Sequence, residues 1–262
     1  MASPDFDELW SVADELADAA RVETLAHFRA GDLITESKHV AFDPVTVADR
    51  SAEKAMRSIL AERRPDDAIL GEEHGWKDGA SGLTWVLDPI DGTRGFISGT
   101  PTWGVLIALS DESGPILGVI DQPYIGERFY GGGGRSNMTG PLGPRSLGVR
   151  GTEALEEATL FTTFPEIGSI DERKRFEQVA GKVKLTRYGC DCYAYALLAA
   201  GQIDLVIEAG LHSYDIQAPI AVIEAAGGRV TTWSGAAAHE GGQVVAAATP
   251  ELHEAALALL NQ

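Results

Sequence analysis

The segment Asp88-Pro89-Ile90-Asp91-Gly92-Thr93 places two carboxylates three residues apart at the end of a short apolar stretch. The carboxyl ends of strands are where α/β sheets usually carry their functional sites. Because Pro89 has a fixed φ and no backbone N–H, we expect the chain to leave the sheet there. The backbone N–H groups of Gly92 and Thr93 are free to face an anion if a helix begins at this point. Carboxylates that bind hard cations, beside N–H groups that bind oxyanions, favour a site for a metal-bound phosphate.

This spacing also has a simpler explanation. Asp-Pro and Asp-Gly are common turn formers, and an Asp-x-x-Asp pair often lies in a solvated loop. A second acidic cluster favours the functional interpretation. Gly71-Glu72-Glu73-His74-Gly75 sets two adjacent acids between glycines, directly after the predicted strand 68–70.

Four further acids stand where predicted elements begin or end. Asp49 lies near the start of the predicted helix 50–64, where the helix dipole favours a negative charge. Asp191 and Asp215 each precede a predicted helix, so N-capping alone would explain them. Glu208 ends an apolar strand, where a carboxylate is costly to bury unless something pairs with it.

Apolar periodicity predicts the elements that must position these acids. The predicted helices are 5–29, 50–64, 171–180, 192–200, 216–226 and 251–260, and the predicted strands are 68–70, 85–88, 105–109, 116–120, 128–131, 159–163, 203–208, 229–232 and 244–248. Turn residues between the strands of 105–131 indicate an antiparallel meander. The glycine- and proline-rich stretch 131–144 is the expected seam between an N-terminal half, 1–140, and a C-terminal half, 141–262, of one compact unit.

Composition narrows the function classes. The chain has 262 residues, of which 44% are hydrophobic and 23% charged, as in an ordinary globular protein with a substantial core. Its net charge of −18 disfavours nucleic acid and anionic membrane as partners. Two cysteines, Cys190 and Cys192, are too few for a disulfide framework. Neither a signal peptide nor an apolar run long enough for a bilayer is evident, so we expect a cytoplasmic protein.

Three segments together resemble the inositol-monophosphatase-like superfamily of metal-dependent phosphatases. They are 71–75, 88–93 and Tyr214-Asp215 followed by Glu224-Ala225-Ala226-Gly227-Gly228, and their occurrence in this order is highly specific. The resemblance covers nearly the whole chain. It implies an α/β (α+β) fold of the inositol monophosphatase and fructose bisphosphatase type, a layered αβαβα sandwich that is usually a homodimer.

The resemblance also implies a metal site. Its side-chain ligands would be Glu72, Asp88, Asp91 and Asp215, with the Ile90 carbonyl as a further oxygen ligand. All-oxygen ligation fits Mg²⁺. Two or three such ions per subunit would neutralise the phosphate, lower the pKa of a bound water and stabilise the leaving alkoxide.

By the same resemblance, the expected catalytic residues are Glu73 and a Thr93–Asp49 pair, which would orient and deprotonate the attacking water. The N–H groups of Gly92 and Thr93 would hold phosphate oxygens. Lys38 matches a basic position of the family near the metals, although a solvated lysine is an equally simple explanation.

The substrate prediction combines resemblance with charge. The segments 94–104 and 118–123 resemble the histidinol-phosphate phosphatases of the superfamily more than its inositol phosphatases. By the family pattern Asp191 and Glu208 border the leaving-alcohol pocket. Arg187 or Tyr188 is a candidate to close this pocket, with a position on the surface as the alternative. Histidinol phosphate carries an ammonium and an imidazole that two carboxylates can pair with, whereas inositol offers hydroxyls. We therefore expect a small-molecule phosphate monoester as partner, namely histidinol phosphate, whose hydrolysis to histidinol belongs to histidine biosynthesis; inositol monophosphate or a broad range of phosphomonoesters is the alternative.

Two other function classes have less support. A non-catalytic binder of metal and phosphate would have little need for Thr93 with Asp49. A protease-like dyad of Asp88 and Asp91 would need paired Asp-Thr-Gly or Asp-Ser-Gly motifs, which the sequence lacks.

Overall fold

A computed structural model describes residues 5–31, 35–37 and 44–262 of the chain. Its α-helices in these ranges are α1 (Phe6–His27), α2 (Val47–Arg63), α3 (Thr93–Ile97), α4 (Ile170–Ala180), α5 (Cys192–Ala199), α6 (Ser213–Ala225) and α7 (Pro250–Leu260). A short antiparallel pair joins β1 (Thr35–Ser37) to β2 (Pro44–Thr46).

The larger sheet has the strand order β10-β9-β8-β7-β6-β5-β3-β4. Its strands are β3 (Ala68–Gly71), β4 (Gly75–Lys77), β5 (Thr84–Asp91), β6 (Gly104–Asp111), β7 (Gly114–Gln122), β8 (Glu127–Gly132), β9 (Arg135–Thr139) and β10 (Arg145–Ser146). Strands β3 and β5 are parallel, and the other pairs are antiparallel, which confirms the predicted meander.

The smaller sheet has the order β12-β11-β13-β15-β14. Its strands are β11 (Thr159–Thr162), β12 (Leu185–Tyr188), β13 (Leu205–Leu211), β14 (Arg229–Thr232) and β15 (Gly242–Ala247). The connection 147–158 joins the last strand of the larger sheet to the first strand of the smaller one. The division of the chain at 140 stays a prediction.

Alternation of side chains along the strands separates three apolar clusters. On β6, Val105 and Ile107 pack towards α1 and α2, while Leu106 faces α5 and α6. On β15, Val244 packs in the same central cluster as Leu106, while Val245 faces the cluster of α4 and α7. Because successive residues of a strand point to opposite faces, each sheet is covered on both sides. The result is the predicted layered αβαβα sandwich.

Helix α6 lies unusually close to the larger sheet because two strand residues there have no side chain. A Cβ on Gly118 would be 2.5 Å from the carbonyl oxygen of Ala218, and one on Gly131 would be 2.2 Å from the Cα of Val222. Glycine at these strand positions therefore permits the close approach of the helix backbone. This contact matters for function because α6 carries Asp215.

One prediction about local structure is wrong. The chain does not leave the sheet at Pro89: β5 continues to Asp91, and its pairing with β6 is irregular between Asp88 and Asp91, so the N–H that Pro89 lacks is not needed there. The stretch 131–144 contains the hairpin turn between β8 and β9, and β9 and β10 extend the sheet. Strands β1, β2, β4 and β12 were not predicted. None of the helices in the described ranges combines the length and apolar composition needed to cross a bilayer.

Candidate active site

Three carboxylates from two distant segments meet between the sheets. Asp88 and Asp91 lie at the end of β5, and Asp215 lies in the first turn of α6. Each offers one oxygen to a group in which all ligand atoms are within 4.8 Å of one another. Glu72 lies next to this cluster, because its N–H donates to the Leu87 carbonyl (3.1 Å) and its carboxyl group contacts that of Asp88. The structure thus brings together the four side chains predicted to bind metal.

Backbone donors fix the orientation of all three aspartates. The Ile90 N–H donates to Asp88 Oδ1 (3.0 Å), the Cys192 N–H to Asp91 Oδ2 (2.5 Å) and the His212 N–H to Asp215 Oδ2 (2.7 Å). Each carboxylate has a further oxygen with which it can face a cation. Asp215 is the third residue of α6 and not its N-cap, because the helix begins at Ser213, three residues before the predicted start at 216. Its Oδ2 still takes part in capping, since it accepts from the N–H of the N-cap residue His212, so capping accounts for one of its two oxygens.

The cluster has strong mutual repulsion. Burial, with the charges of Glu72, Asp91 and Asp215, raises the pKa of Asp88 well above its usual range. Burial and the charges of Asp191 and Asp215 do the same for the pKa of Asp91. Acids packed this closely are all ionised at neutral pH only if a cation sits among them. An all-oxygen set of carboxylates fits Mg²⁺, Mn²⁺ or Ca²⁺ in preference to softer metals.

The predicted Thr93–Asp49 hydrogen bond is not formed in this structure. The Thr93 hydroxyl donates to the Ile90 carbonyl (3.2 Å), which is the predicted backbone ligand. Asp49 Oδ2 accepts from the N–H (2.9 Å) and hydroxyl (2.6 Å) of Thr46, which precedes α2. Asp49 Oδ1 is buried and has no partner among the described residues. Rotation of the Thr93 hydroxyl away from Ile90 is therefore required before it can engage any other acceptor.

Asp49 nevertheless lies in the acidic environment that the prediction required. It is 1% exposed, and burial, opposed by its bonds to Thr46, raises its pKa to about 7 with a smaller contribution from Glu73 and Glu72. A buried carboxyl with a pKa near neutrality is suited to accept or share a proton. Glu73 follows Glu72 in the half-buried turn after β3.

The turn that begins α3 is tightly enclosed. Gly92 takes φ 86° at the N-cap of this helix, and its carbonyl accepts from the Phe96 N–H (3.0 Å). A Cβ on Gly92 would lie 3.0 Å from Cβ of Asp191, so both the positive φ and the space require glycine. The start of a helix at Gly92-Thr93 is as predicted; phosphate binding by their N–H groups stays a prediction.

A cavity of about 190 Å³ adjoins the metal cluster. It is lined by Asp91, Asp215, Asp191 and Glu208, and by Thr163, Phe164, Cys192, Tyr195 and residues 209–211. The wall nearest the cluster is therefore acidic. Asp191 stands at the N-cap of α5 without making a side-chain capping bond, so capping does not explain it.

Hydrogen bonds hold the Glu208 carboxylate in place. Oε1 accepts from the N–H (2.7 Å) and hydroxyl (2.9 Å) of Thr163, and Oε2 accepts from the Thr162 hydroxyl (3.2 Å). Burial, opposed by these bonds, raises the pKa of Glu208 to about 7. Burial likewise raises the pKa of Asp191 to about 6, against the influence of the Arg94 guanidinium. Both acids would gain from a cation in the cavity.

Two predicted residues do not join this group. Arg187 is exposed on β12, the edge strand of the smaller sheet, and does not line the cavity. Of the two alternatives for Arg187, its exposure agrees with a surface position and not with closure of the pocket. Lys38 lies outside the described residues.

Sequence reasoning missed Tyr195. Its side chain is 3% exposed, lines the cavity, and has a hydroxyl without a hydrogen-bond partner among the described residues. The only sequence signal is its position, one helical turn beyond Asp191 on the same face of α5.

The sequence matches the inositol monophosphatase family over residues 5–262. It is 42% identical over 272 residues to the chloroplastic bifunctional phosphatase IMPL2 of Arabidopsis thaliana, across 100% of this chain and 77% of that protein. It is 36% identical over 249 residues to a histidinol-phosphatase of Mycobacterium tuberculosis, across 94% of this chain and 95% of that protein. Among solved structures, an inositol monophosphatase from Zymomonas mobilis superposes with a TM-score of 0.87 at 37% identity, across 99% of this chain and 100% of that one.

These similarities, together with the layered fold and the acidic cluster between its sheets, identify a phosphatase of a metal-dependent family. The chain belongs to the inositol monophosphatase family.

Proposed function

We propose that the protein is a Mg²⁺-dependent phosphomonoesterase that hydrolyses histidinol phosphate to histidinol and phosphate. The observation that carries the choice of substrate is a pair of acids, half-buried Asp191 and buried Glu208, in the wall of the cavity beside the metal cluster. The histidinol-phosphatase among its relatives supports the same choice.

In this proposal Glu72, Asp88, Asp91, Asp215 and the Ile90 carbonyl hold two or three Mg²⁺ ions. These ions would supply charge neutralisation of the phosphate, an acidified water and stabilisation of the leaving oxygen. The N–H groups of Gly92 and Thr93 bind phosphate oxygens. Together, the metal ligands and these N–H groups would hold the phosphorus in line with the attacking water. Positioning of this kind supplies much of the rate of phosphoryl transfer.

In the proposal, Thr93, Asp49 and Glu73 together orient the attacking water and remove its proton. The Thr93 hydroxyl orients the water, and Glu73 accepts its proton. Asp49 has a pKa of about 7, and its Oδ1 has no hydrogen-bond partner within the described part of the chain. In the proposal this oxygen accepts a hydrogen bond from the Thr93 hydroxyl when that hydroxyl turns away from Ile90. A pKa near neutrality suits Asp49 to share the proton of the Thr93 hydroxyl while Glu73 takes the proton of the water.

The leaving alcohol would occupy the acidic cavity. The substrate's ammonium pairs with Asp191, and Glu208, held by three donors, accepts from the ammonium or the imidazole. A cation there offsets the cost of ionising buried Glu208 and half-buried Asp191, whereas a neutral polyol leaves that cost in place. The acidic cavity therefore favours a cationic alcohol.

The second candidate is hydrolysis of inositol monophosphate or of a broad set of phosphomonoesters. Its support is the Zymomonas mobilis inositol monophosphatase, which shares the fold at 37% identity. A homodimer is a further part of the proposal that rests on the family resemblance, and a cytoplasmic location is one that rests on the sequence pattern alone.

A comparison of kcat/KM for histidinol phosphate, inositol 1-phosphate and an adenosine 3′-phosphate compound tests the substrate. We expect histidinol phosphate to be preferred, and a preference for inositol 1-phosphate would select the second candidate. Absence of phosphate release from all three in Mg²⁺ would instead favour a binding protein.

The variant Asp191→Ala tests the acidic wall directly. It should raise KM for histidinol phosphate far more than KM for a neutral alcohol's phosphate. Glu166→Ala is the matched control, because Glu166 is an exposed acid in the connection that follows β11. Equal effects of Asp191→Ala on both substrates would remove the case for an ammonium site.

A further inference from the structure

A buried carboxylate outside the active site contacts the turn that carries Glu72 and Glu73. Glu53 lies in the middle of α2 and is 0% exposed. Its Oε2 accepts from the Glu73 N–H (2.7 Å), and its Oε1 accepts from the His74 N–H (3.2 Å). One carboxylate therefore fixes two successive peptide groups of the turn.

Arg57, one helical turn further along α2, completes this contact. Its Nε donates to Glu53 Oε1 (2.7 Å), and its terminal nitrogen donates to the Gly75 carbonyl. The guanidinium neutralises the buried carboxylate and ties the end of the same turn to the helix. Together, Glu53 and Arg57 hold the turn 73–75 at three backbone positions.

The chain is shaped to receive the Glu53 carboxylate. A Cβ on Gly71 would lie 2.0 Å from Glu53 Oε1 and 2.4 Å from its carboxyl carbon. Any side chain at position 71 would displace the carboxylate from the turn. The glycine at the end of β3 thus serves the contact with α2.

The turn needs such support because it brings like charges together. Glu72 contacts the carboxyl group of Asp88. The negative charges of Glu72 and Glu73 both raise the pKa of Asp49. Without a cation these acids repel, and the turn would relax away from the cluster. The hydrogen bonds that the turn donates to Glu53 oppose that displacement. Glu53 does so from helix α2, outside the active site.

We propose that Glu53 and Arg57 are positioning residues that hold Glu72 and Glu73 in the geometry needed for metal binding before the cation arrives. The inference rests on the proposed function in one respect, the assignment of Glu72 as a metal ligand. By this inference Glu53 and Arg57 influence the affinity for the metal without contacting it.

The test is the affinity of the intact enzyme for Mn²⁺, measured by electron paramagnetic resonance of the free ion, without substrate. Glu53→Gln removes one acceptor and places an amide N–H₂ against a backbone donor or Arg57. We expect its Kd for Mn²⁺ to rise about 10–100-fold, as for other residues that support metal ligands. In turnover, the activation curve for Mg²⁺ should shift to higher concentration, and excess Mg²⁺ should recover much of kcat.

Asp67→Asn is the matched control. Asp67 is also buried (1% exposed) and also pairs with an arginine, since Nε of Arg64 at the end of α2 donates to its Oδ2 (2.8 Å). The same oxygen accepts from the indole N–H of Trp85 (2.9 Å), so Asp67 does not support the acidic turn. This variant should lower thermal stability without changing the Kd for Mn²⁺. An equal change in Kd for both variants would reduce the role of Glu53 to general stability and overturn the inference.

Gly71→Ala and Arg57→Lys provide independent routes to the same contact. The first displaces the Glu53 carboxylate, and the second removes the guanidinium that reaches both Glu53 and Gly75; each should raise the Kd for Mn²⁺ in the same direction. If Glu53→Gln fails to fold, these two variants decide the question. Unchanged affinity in every folded variant overturns the inference.

The Mn²⁺ measurement separates this inference from the proposed function. If the wild-type protein binds no Mn²⁺, the assignment of the metal site fails and the inference fails with it. If the wild type binds Mn²⁺, Asp88→Asn does not, and Glu53→Gln binds like the wild type, only the positioning role is wrong.

Discussion

The backbone N–H of Cys192 donates to Asp91 Oδ2 at 2.5 Å, which joins the start of α5 to the end of β5. The turn that makes this possible is strained, because Cys190 and Asp191 take φ values of 89° and 45°. Non-glycine residues in this region cost about 1–3 kcal/mol each and persist where the surroundings enforce them. The same turn places the Asp191 side chain in the cavity wall. One strained turn therefore orients a predicted metal ligand and a predicted substrate ligand together.

Asp91→Asn should abolish turnover and weaken metal binding, because the amide removes one negative charge from the cluster while it can still accept from Cys192. Calorimetric titration with Mg²⁺ and an assay of phosphate release measure the two effects. Asp111→Asn is the control, since Asp111 caps the turn at Ser113, at the opposite end of the sheet. Near-normal activity of Asp91→Asn would exclude Asp91 from the metal site.

Thr93→Ala should lower kcat by about 10²–10⁴-fold, with a modest change in KM, if its hydroxyl orients the nucleophile. Thr93→Ser keeps the hydroxyl and should retain most of the rate. Steady-state kinetics at saturating Mg²⁺ separate the two parameters. A loss confined to KM would assign Thr93 to phosphate binding alone.

Asp88→Asn should stabilise the metal-free protein at pH 8. The folded pKa of Asp88 is raised above its unfolded value, so its contribution to stability is present in acid and is lost as pH rises through the folded pKa. At pH 8 without a cation, folding requires Asp88 either to bury its charge or to bind a proton, and an amide removes that cost. We expect a Tm higher by about 2–4 °C in chelator at pH 8 and a smaller difference at pH 5.

The same variant should lose the rise in Tm that Mg²⁺ gives the wild-type protein, since binding to the folded state is what stabilises it. Scanning calorimetry with and without Mg²⁺ measures both effects. A lower Tm for Asp88→Asn in chelator at pH 8 would show that the acids of the cluster do not repel one another as the geometry indicates.

Glu208→Gln should change how KM depends on pH. Burial raises the pKa of Glu208 to about 7, so its carboxylate becomes available to a cation as pH rises from 6 to 8. KM for histidinol phosphate should therefore fall over this range by more than KM for a neutral alcohol's phosphate. The variant should remove the difference between the two substrates. Parallel pH profiles for both substrates in the wild type would contradict an ion pair at Glu208.

Local patterns predicted much of the fold, since the helices and most strands follow apolar periods of 3.6 and 2. The bulge after Asp88 could not be predicted, because a proline at a strand end is equally consistent with leaving the sheet. Edge strand β12 was missed because an exposed strand has no apolar face to give a pattern. These failures lie where tertiary contacts, and not local preference, decide the backbone.

For the site, spacing and resemblance indicated Asp88, Asp91 and Asp215, and the structure brings them together. Glu53 gave no such signal. With Arg57 four residues later it has the pattern of an ordinary solvated ion pair on a helix surface. Glu53 is buried because it contacts the turn after β3. This turn is distant in sequence from α2, so the pattern of residues in the helix cannot indicate the contact.

Helix α6 contacts both sheets and carries Asp215 to the acids of β5. A divalent cation between Asp91 and Asp215 would close a long loop of the polypeptide, much as a chemical cross-link does. Such closure limits the conformations open to the denatured chain. The ion needed for turnover would then also stabilise the tertiary structure. Its removal by a chelator would lower the free energy of unfolding as well as abolish activity.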